Sequence, residues 1–101
     1  MKRHPTSVEG YEGSLEELAQ TVCRMRYDKV AEFFGYCAVE LLRQANGDMR
    51  RGYKLLAIQL TAARGIAVAL HRKMHSVFKL CEPHMQEELK DGPPVYTDVL
   101  R

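Results

Sequence analysis

His71, His75, Cys81 and His84, within HRKMHSVFKLCEPH, come nearest in type and spacing to a chemical site. His71 and His75 stand four residues apart, a helical spacing that lets two imidazoles reach one metal ion. Cys81 and His84 follow where the helix should end, so a chain reversal could bring them back. Such ligands suit transition metals or haem. Three features oppose this. The spacing matches no structural zinc pattern, Arg72 stands where an HExxH motif needs Glu, and Arg72 and Lys73 would repel a cation. The expectation is that this chain has no metal centre and no cofactor.

Catalytic patterns are equally sparse. Two-metal helical bundles need inward Glu-x-x-His pairs, and none is present. Glu16-Glu17 reads as acidic charge favourable at a helix start. Glu87-Glu88 lies in a short terminal segment. No Cys–His or Ser–His order points to a nucleophile. No catalytic residue is therefore expected, and the chain reads as a non-enzyme. Tyr27, Phe33, Phe34, Tyr36 and Tyr53 fall at helical spacing, which suits core better than a ligand pocket. Pro93-Pro94-Val95-Tyr96 has the PPxY form read by WW domains, but a double proline is equally a helix stop. Val95, Tyr96, Val99 and Leu100 suit an arm that packs across a bundle.

Charge is the next signal. The net value is +2, but its distribution is uneven. Residues 48–81 hold seven basic side chains against Asp48 alone, whereas residues 82–101 hold two basic against five acidic. On a helical projection Arg50, Lys54, Arg64, Arg72 and Lys79 form a basic ridge along one edge of a long helix. The ridge could take an acidic protein or another anionic partner. Nucleic acid is disfavoured, because no aromatic residues interleave with the basic ones and overall charge is low. The bland alternative is pairing with Glu16, Glu17, Asp28, Glu32, Glu40 and the acidic residues of the tail across the bundle.

The elements that position these groups are all helical. The 101 residues fit one domain. Residues 1–13 read as a flexible leader, 14–91 as a helical domain and 92–101 as a tail. Ser14 with Glu17 forms a capping box that opens the first helix. Leu15, Leu18, Val22 and Met25 make its apolar stripe. The step of five from Met25 to Val30 breaks phase, so a bend or a new helix capped by Asp28 is expected there. Asn46-Gly47 reads as a helix end. Asp48 reads as the cap of a long helix, Met49 to Leu80. In that helix Met49, Tyr53, Leu56, Leu60, Ala63, Ala67, Leu70, Met74 and Val77 form a heptad seam. Pro83 closes it, and His84 to Lys90 could form a short further helix. The expected fold is all-α, a long antiparallel helical hairpin of residues 14–45 against 48–80 with a short terminal helix.

A lone hairpin cannot cover this much apolar surface. Between Leu55 and Leu70 only Gln59, Thr61 and Arg64 are polar. Leu55, Ile58, Ala62, Ile66 and Ala69 lie opposite the seam, so the helix is apolar nearly all round. The simplest cover is a second copy, giving a dimeric four-helix bundle. Cys23, Cys37 and Cys81 are odd in number, contain no CxxC pair and sit in apolar sequence, so reduced core thiols are expected. No stretch suits a secretory signal or a membrane span, and the expected compartment is the cytoplasm. The resulting expectation is a small helical interaction or assembly module acting as a homodimer. A small-ligand or metal-binding bundle and a nucleic-acid accessory protein are the other readings.

Overall fold

The computed structural model describes residues 3–84, and 78% of these are helical with no strand among them. Three α-helices follow one another: α1 (Leu15–Cys23), α2 (Tyr27–Arg50) and α3 (Lys54–Cys81), with a 3-10 turn over Glu82–His84. The expected further helix and tail beyond His84 lie outside the described residues.

Ser14 caps α1 as its sequence requires, accepting the backbone N–H of Glu17 at 3.1 Å. The return half of the box differs from expectation, because the Ser14 hydroxyl itself donates to the Glu17 carboxylate at 3.3 Å. Residues 3–13 contain no helix or strand. After Cys23 the chain breaks where the apolar stripe loses phase. Arg26, not Asp28, is the N-cap residue of α2. Asp28 lies inside the first turn and grips Arg26 with both carboxylate oxygens, at 2.7 and 2.8 Å. Its negative charge there suits the positive helix end.

The hairpin turn corrects two further expectations. Asn46-Gly47 does not end the helix; α2 runs through both residues to Arg50. Asp48 caps nothing, and its carboxylate accepts from Arg51 at 3.1 Å. The stop is Gly52, whose φ of +88° needs no Cβ penalty. Its N–H bonds Met49 O at 3.1 Å, and the Tyr53 N–H reaches Asp48 O at 2.8 Å. These are the two bonds of a Schellman motif, and they satisfy the last free carbonyls of α2. Met49 therefore belongs to α2, and α3 begins only at Lys54.

α2 and α3 are the pair that pack against each other, whereas α1 touches α2 only slightly. The arms are thus α2 and α3, about 36 and 42 Å long at 1.5 Å per residue. Their register is symmetric about Gly52: Arg26 of the α2 start lies over the Phe78 ring near the α3 end, 5.8 Å from its centroid. The contact face of α3 includes much of the predicted seam, with Leu56, Leu60, Ala63, Ala67, Met74 and Val77 half-buried. It is rotated toward Ala57, Val68 and His71, which leaves Leu70 39% exposed. The buried apolar residues are Val30, Ala31, Ala38, Ala45, Ala57 and Cys81, all small, and Val30 is the largest fully buried side chain. Small residues let two helices approach closely but supply little hydrophobic burial.

Candidate interaction surface

The outer face of α3 carries the five residues expected at an interface. Leu55 is 81% exposed, Ile58 54% and Ile66 71%, and Ala62 and Ala69 are also exposed. At 100° per residue they fall on one stripe directly opposite the face that meets α2. Leu80 continues that stripe one residue before the helix ends, after Lys73 and Ser76 interrupt it. Beside it Gly65 is open, with nothing within 4 Å of where a Cβ would stand. More uncovered apolar surface lies at Leu15 of α1, 63% exposed, and at Met25 between α1 and α2, 39% exposed. On the outer side of α2, Tyr36 and Val39 are each 66% exposed.

The predicted basic ridge is divided by the new helix boundary. Lys54, Arg64, Arg72 and Lys79 lie on α3, but Arg50 ends α2. Arg64 is half-buried, while Lys54, Arg72 and Lys79 are exposed. Among the described residues the alternative pairing across the bundle with Glu16, Glu17, Asp28, Glu32 and Glu40 does not form, and the acidic tail lies outside them. Every ion pair among the described residues joins neighbours in sequence: Arg26–Asp28, Lys29–Glu32, Arg43–Glu40, Arg51–Asp48 and Lys79–Glu82. Lys54, Arg64 and Arg72 have no ion-pair partner among the described residues.

His71 is turned inward. Its Nδ1 meets the Ala31 carbonyl oxygen at 2.6 Å across the hairpin. Its ring centroid lies 6.5 Å from that of His75, edge to face, and His75 in turn sits 6.4 Å from the Phe78 ring. Among the described residues no three His, Cys, Asp or Glu side chains converge. Cys81 is buried at 3% exposure, and His84 is half-buried in the 3-10 turn. The PPxY segment lies outside the described residues.

The sequence reading passed over a cleft of about 470 Å³ at the hairpin turn. Arg3 and His4 from the N-terminal segment line it together with Arg43, Asp48 and Arg50 of α2 and Arg51 just beyond that helix. Arg43 and Arg50 share one face of α2 with Gly47 between them. The bare Gly47 leaves room for the Arg51 guanidinium, whose Nη1 lies 3.0 Å from where a Cβ would be. The Arg50-Arg51 doublet was the available signal. Assigning Asp48 to the start of a helix placed that doublet in the wrong element.

No helix among the described residues is long and apolar enough to cross a membrane. No family model matches the chain, and no curated protein or solved structure matches it.

Proposed function

We propose that this chain is a non-enzymatic helical assembly module that works as a homodimer, with the outer face of α3 as the contact between copies. One observation carries the reading: Leu55, Ile58 and Ile66 stand more than half exposed on one stripe of a hairpin whose own core holds only small side chains. Each large aliphatic side chain left in water forfeits about 1.5–3 kcal/mol that burial would return. A contiguous patch of this kind is uncommon on a monomer and marks a protein-contact surface. Two hairpins laid stripe to stripe form a four-helix bundle, the smallest assembly that buries α3 on both sides. Ala62 and Ala69 lie between the large residues and permit close approach of the two copies.

Sedimentation equilibrium tests the proposal. Wild type is expected to be dimeric at micromolar concentration. Ile66→Glu is expected to be monomeric, because a buried unpaired charge costs several kcal/mol. Asn46→Glu, on the exposed side of α2, should stay dimeric. A wild type that remains monomeric at high micromolar concentration overturns the reading.

A further inference from the structure

We propose that the cleft at the α2–α3 turn binds a small multivalent phosphate anion, an oligophosphate either free or carried as the phosphate tail of a nucleotide. Four guanidinium groups, from Arg3, Arg43, Arg50 and Arg51, line it against the single carboxylate of Asp48. His4 adds a further imidazole at the rim. Two of the arginines are held in place by a neighbouring carboxylate, Arg43 by Glu40 and Arg51 by Asp48 of the lining. Arg43 engages Glu40 through Nε and Nη2 and keeps Nη1 for another acceptor. Arg51 engages Asp48 through Nη1 and keeps Nε and Nη2. Arg3 and Arg50 have no ion-pair partner among the described residues. Guanidinium forks match phosphate oxygens in pairs, and fixing them beforehand lowers the ordering cost of binding.

The surroundings reinforce the positive sign. The first turn of α3 begins beside the cleft with Tyr53 at its cap, holds no acidic residue and opens on Lys54. A helix start of that composition adds to the field of the arginines rather than cancelling it. A cleft of about 470 Å³ lies within the range of small-ligand sites, larger than one phosphate group fills. Several clustered cations favour an anion with several charges over one with a single charge.

Isothermal titration of the full chain with inorganic tripolyphosphate, at about 50 mM salt to limit screening, tests the assignment. One equivalent per chain is expected, bound about tenfold or more tighter than inorganic phosphate. Arg50→Glu and Arg3→Glu should each weaken binding about tenfold or more, the scale of a lost hydrogen bond to a charged group. Arg72→Glu makes the same charge change far along α3 and should alter binding less than about twofold, because salt screens distant charges. Circular dichroism confirms that each variant stays helical. ATP bound as tightly as tripolyphosphate supports the site for phosphate chemistry alone. ATP bound tighter supports it for the nucleotide, with the Tyr53 ring as the available stacking surface. Absence of saturable binding overturns the proposal. So does equal weakening by Arg50→Glu and Arg72→Glu, which would show only the general field of the chain. Ile66→Glu, read in the same titration, separates this site from the dimer contact and should bind as wild type does.

Discussion

The Nδ1 of His71 and the carbonyl oxygen of Ala31 meet at 2.6 Å, a hydrogen bond from α3 to the second turn of α2. A carbonyl can only accept, so Nδ1 carries the proton. The bond is possible because Gly35, one turn beyond Ala31, has no side chain. A Cβ there would stand 3.1 Å from His71 Nδ1 and 3.4 Å from Cε1. The imidazole thus lies over a gap in α2 and locks the register of the hairpin. It also commits Nδ1 to the backbone and leaves Nε2 as the ring nitrogen with a free lone pair.

Gly35→Ala is therefore expected to destabilise the protein despite alanine's intrinsic helix advantage of about 1 kcal/mol. The imidazole cannot yield without losing its bond to Ala31. In a His71→Ala background the obstruction is gone, and Gly35→Ala should stabilise by up to about 1 kcal/mol. Urea unfolding of the four proteins in this cycle gives the coupling directly. Additive effects would mean that His71 does not hold its position over Gly35.

The two glycines near the turn should respond in opposite directions. Gly52 sits at φ +88°, so Gly52→Ala should cost about 1 kcal/mol or more of stability. Gly47 is helical, and the nearest atoms to an added methyl are those of the Arg51 guanidinium, the far end of a long side chain that can shift by a few tenths of an ångström. Gly47→Ala should be neutral or stabilising by up to about 1 kcal/mol. Thermal unfolding followed by circular dichroism distinguishes them, and the reverse order would restore Asn46-Gly47 as the helix end.

Much of the hairpin was legible because periodicity is a long-range signal. The phase slip between Met25 and Val30 marks a real break, and the outer stripe from Leu55 to Ala69 is as exposed as its projection requires. The turn was misread because two glycine signals stand five residues apart, and Asn46-Gly47-Asp48 looks locally like an end followed by a cap. Only Gly52 lets the two Schellman bonds close, and that depends on where α3 docks. The ridge was half legible: Lys54, Arg72 and Lys79 are exposed on α3, but Arg50 moved to another helix with the boundary. The cleft was not legible at all, since Arg3 and His4 lie some forty or more positions from their neighbours in space. No periodicity reports contacts of that kind.

Glu40 should titrate far below the ordinary glutamate value. Its carboxylate accepts from Arg43 first and Gln44 second, which lowers its pKa from 4.5 to about 2. A lowered folded value means that the pair favours the fold above the ordinary carboxylate range. That contribution is lost as pH falls through about 2. Side-chain NMR of Glu40 should place its midpoint near 2, and Arg43→Ala should move it back toward 4.5. A wild-type midpoint near 4.5 would mean that the pair does not persist in solution. Because Arg43 also lines the turn cleft, the same measurement reports whether that guanidinium is held in place there.

The three thiols should separate by rate. All were expected in or near the core, but α1 makes little contact with α2, and its last residue, Cys23, is exposed. Cys37 is half-buried on α2, and Cys81 is buried at the end of α3 with 3% exposure. A disulfide reagent needs a reachable thiolate, so access sets the order among them. One thiol should react at once and one more slowly. The last should react only as the α3 end opens or the protein unfolds. Cys23→Ser should delete the fast phase and leave stability within about 0.5 kcal/mol, as for other exposed positions. Cys81→Ser should instead lower stability by about 1 kcal/mol or more, since it gives up the burial of a sulfur that is only 3% exposed. Three thiols reacting at one common rate in the native protein would contradict this arrangement, because it would require Cys81 to be as open as Cys23.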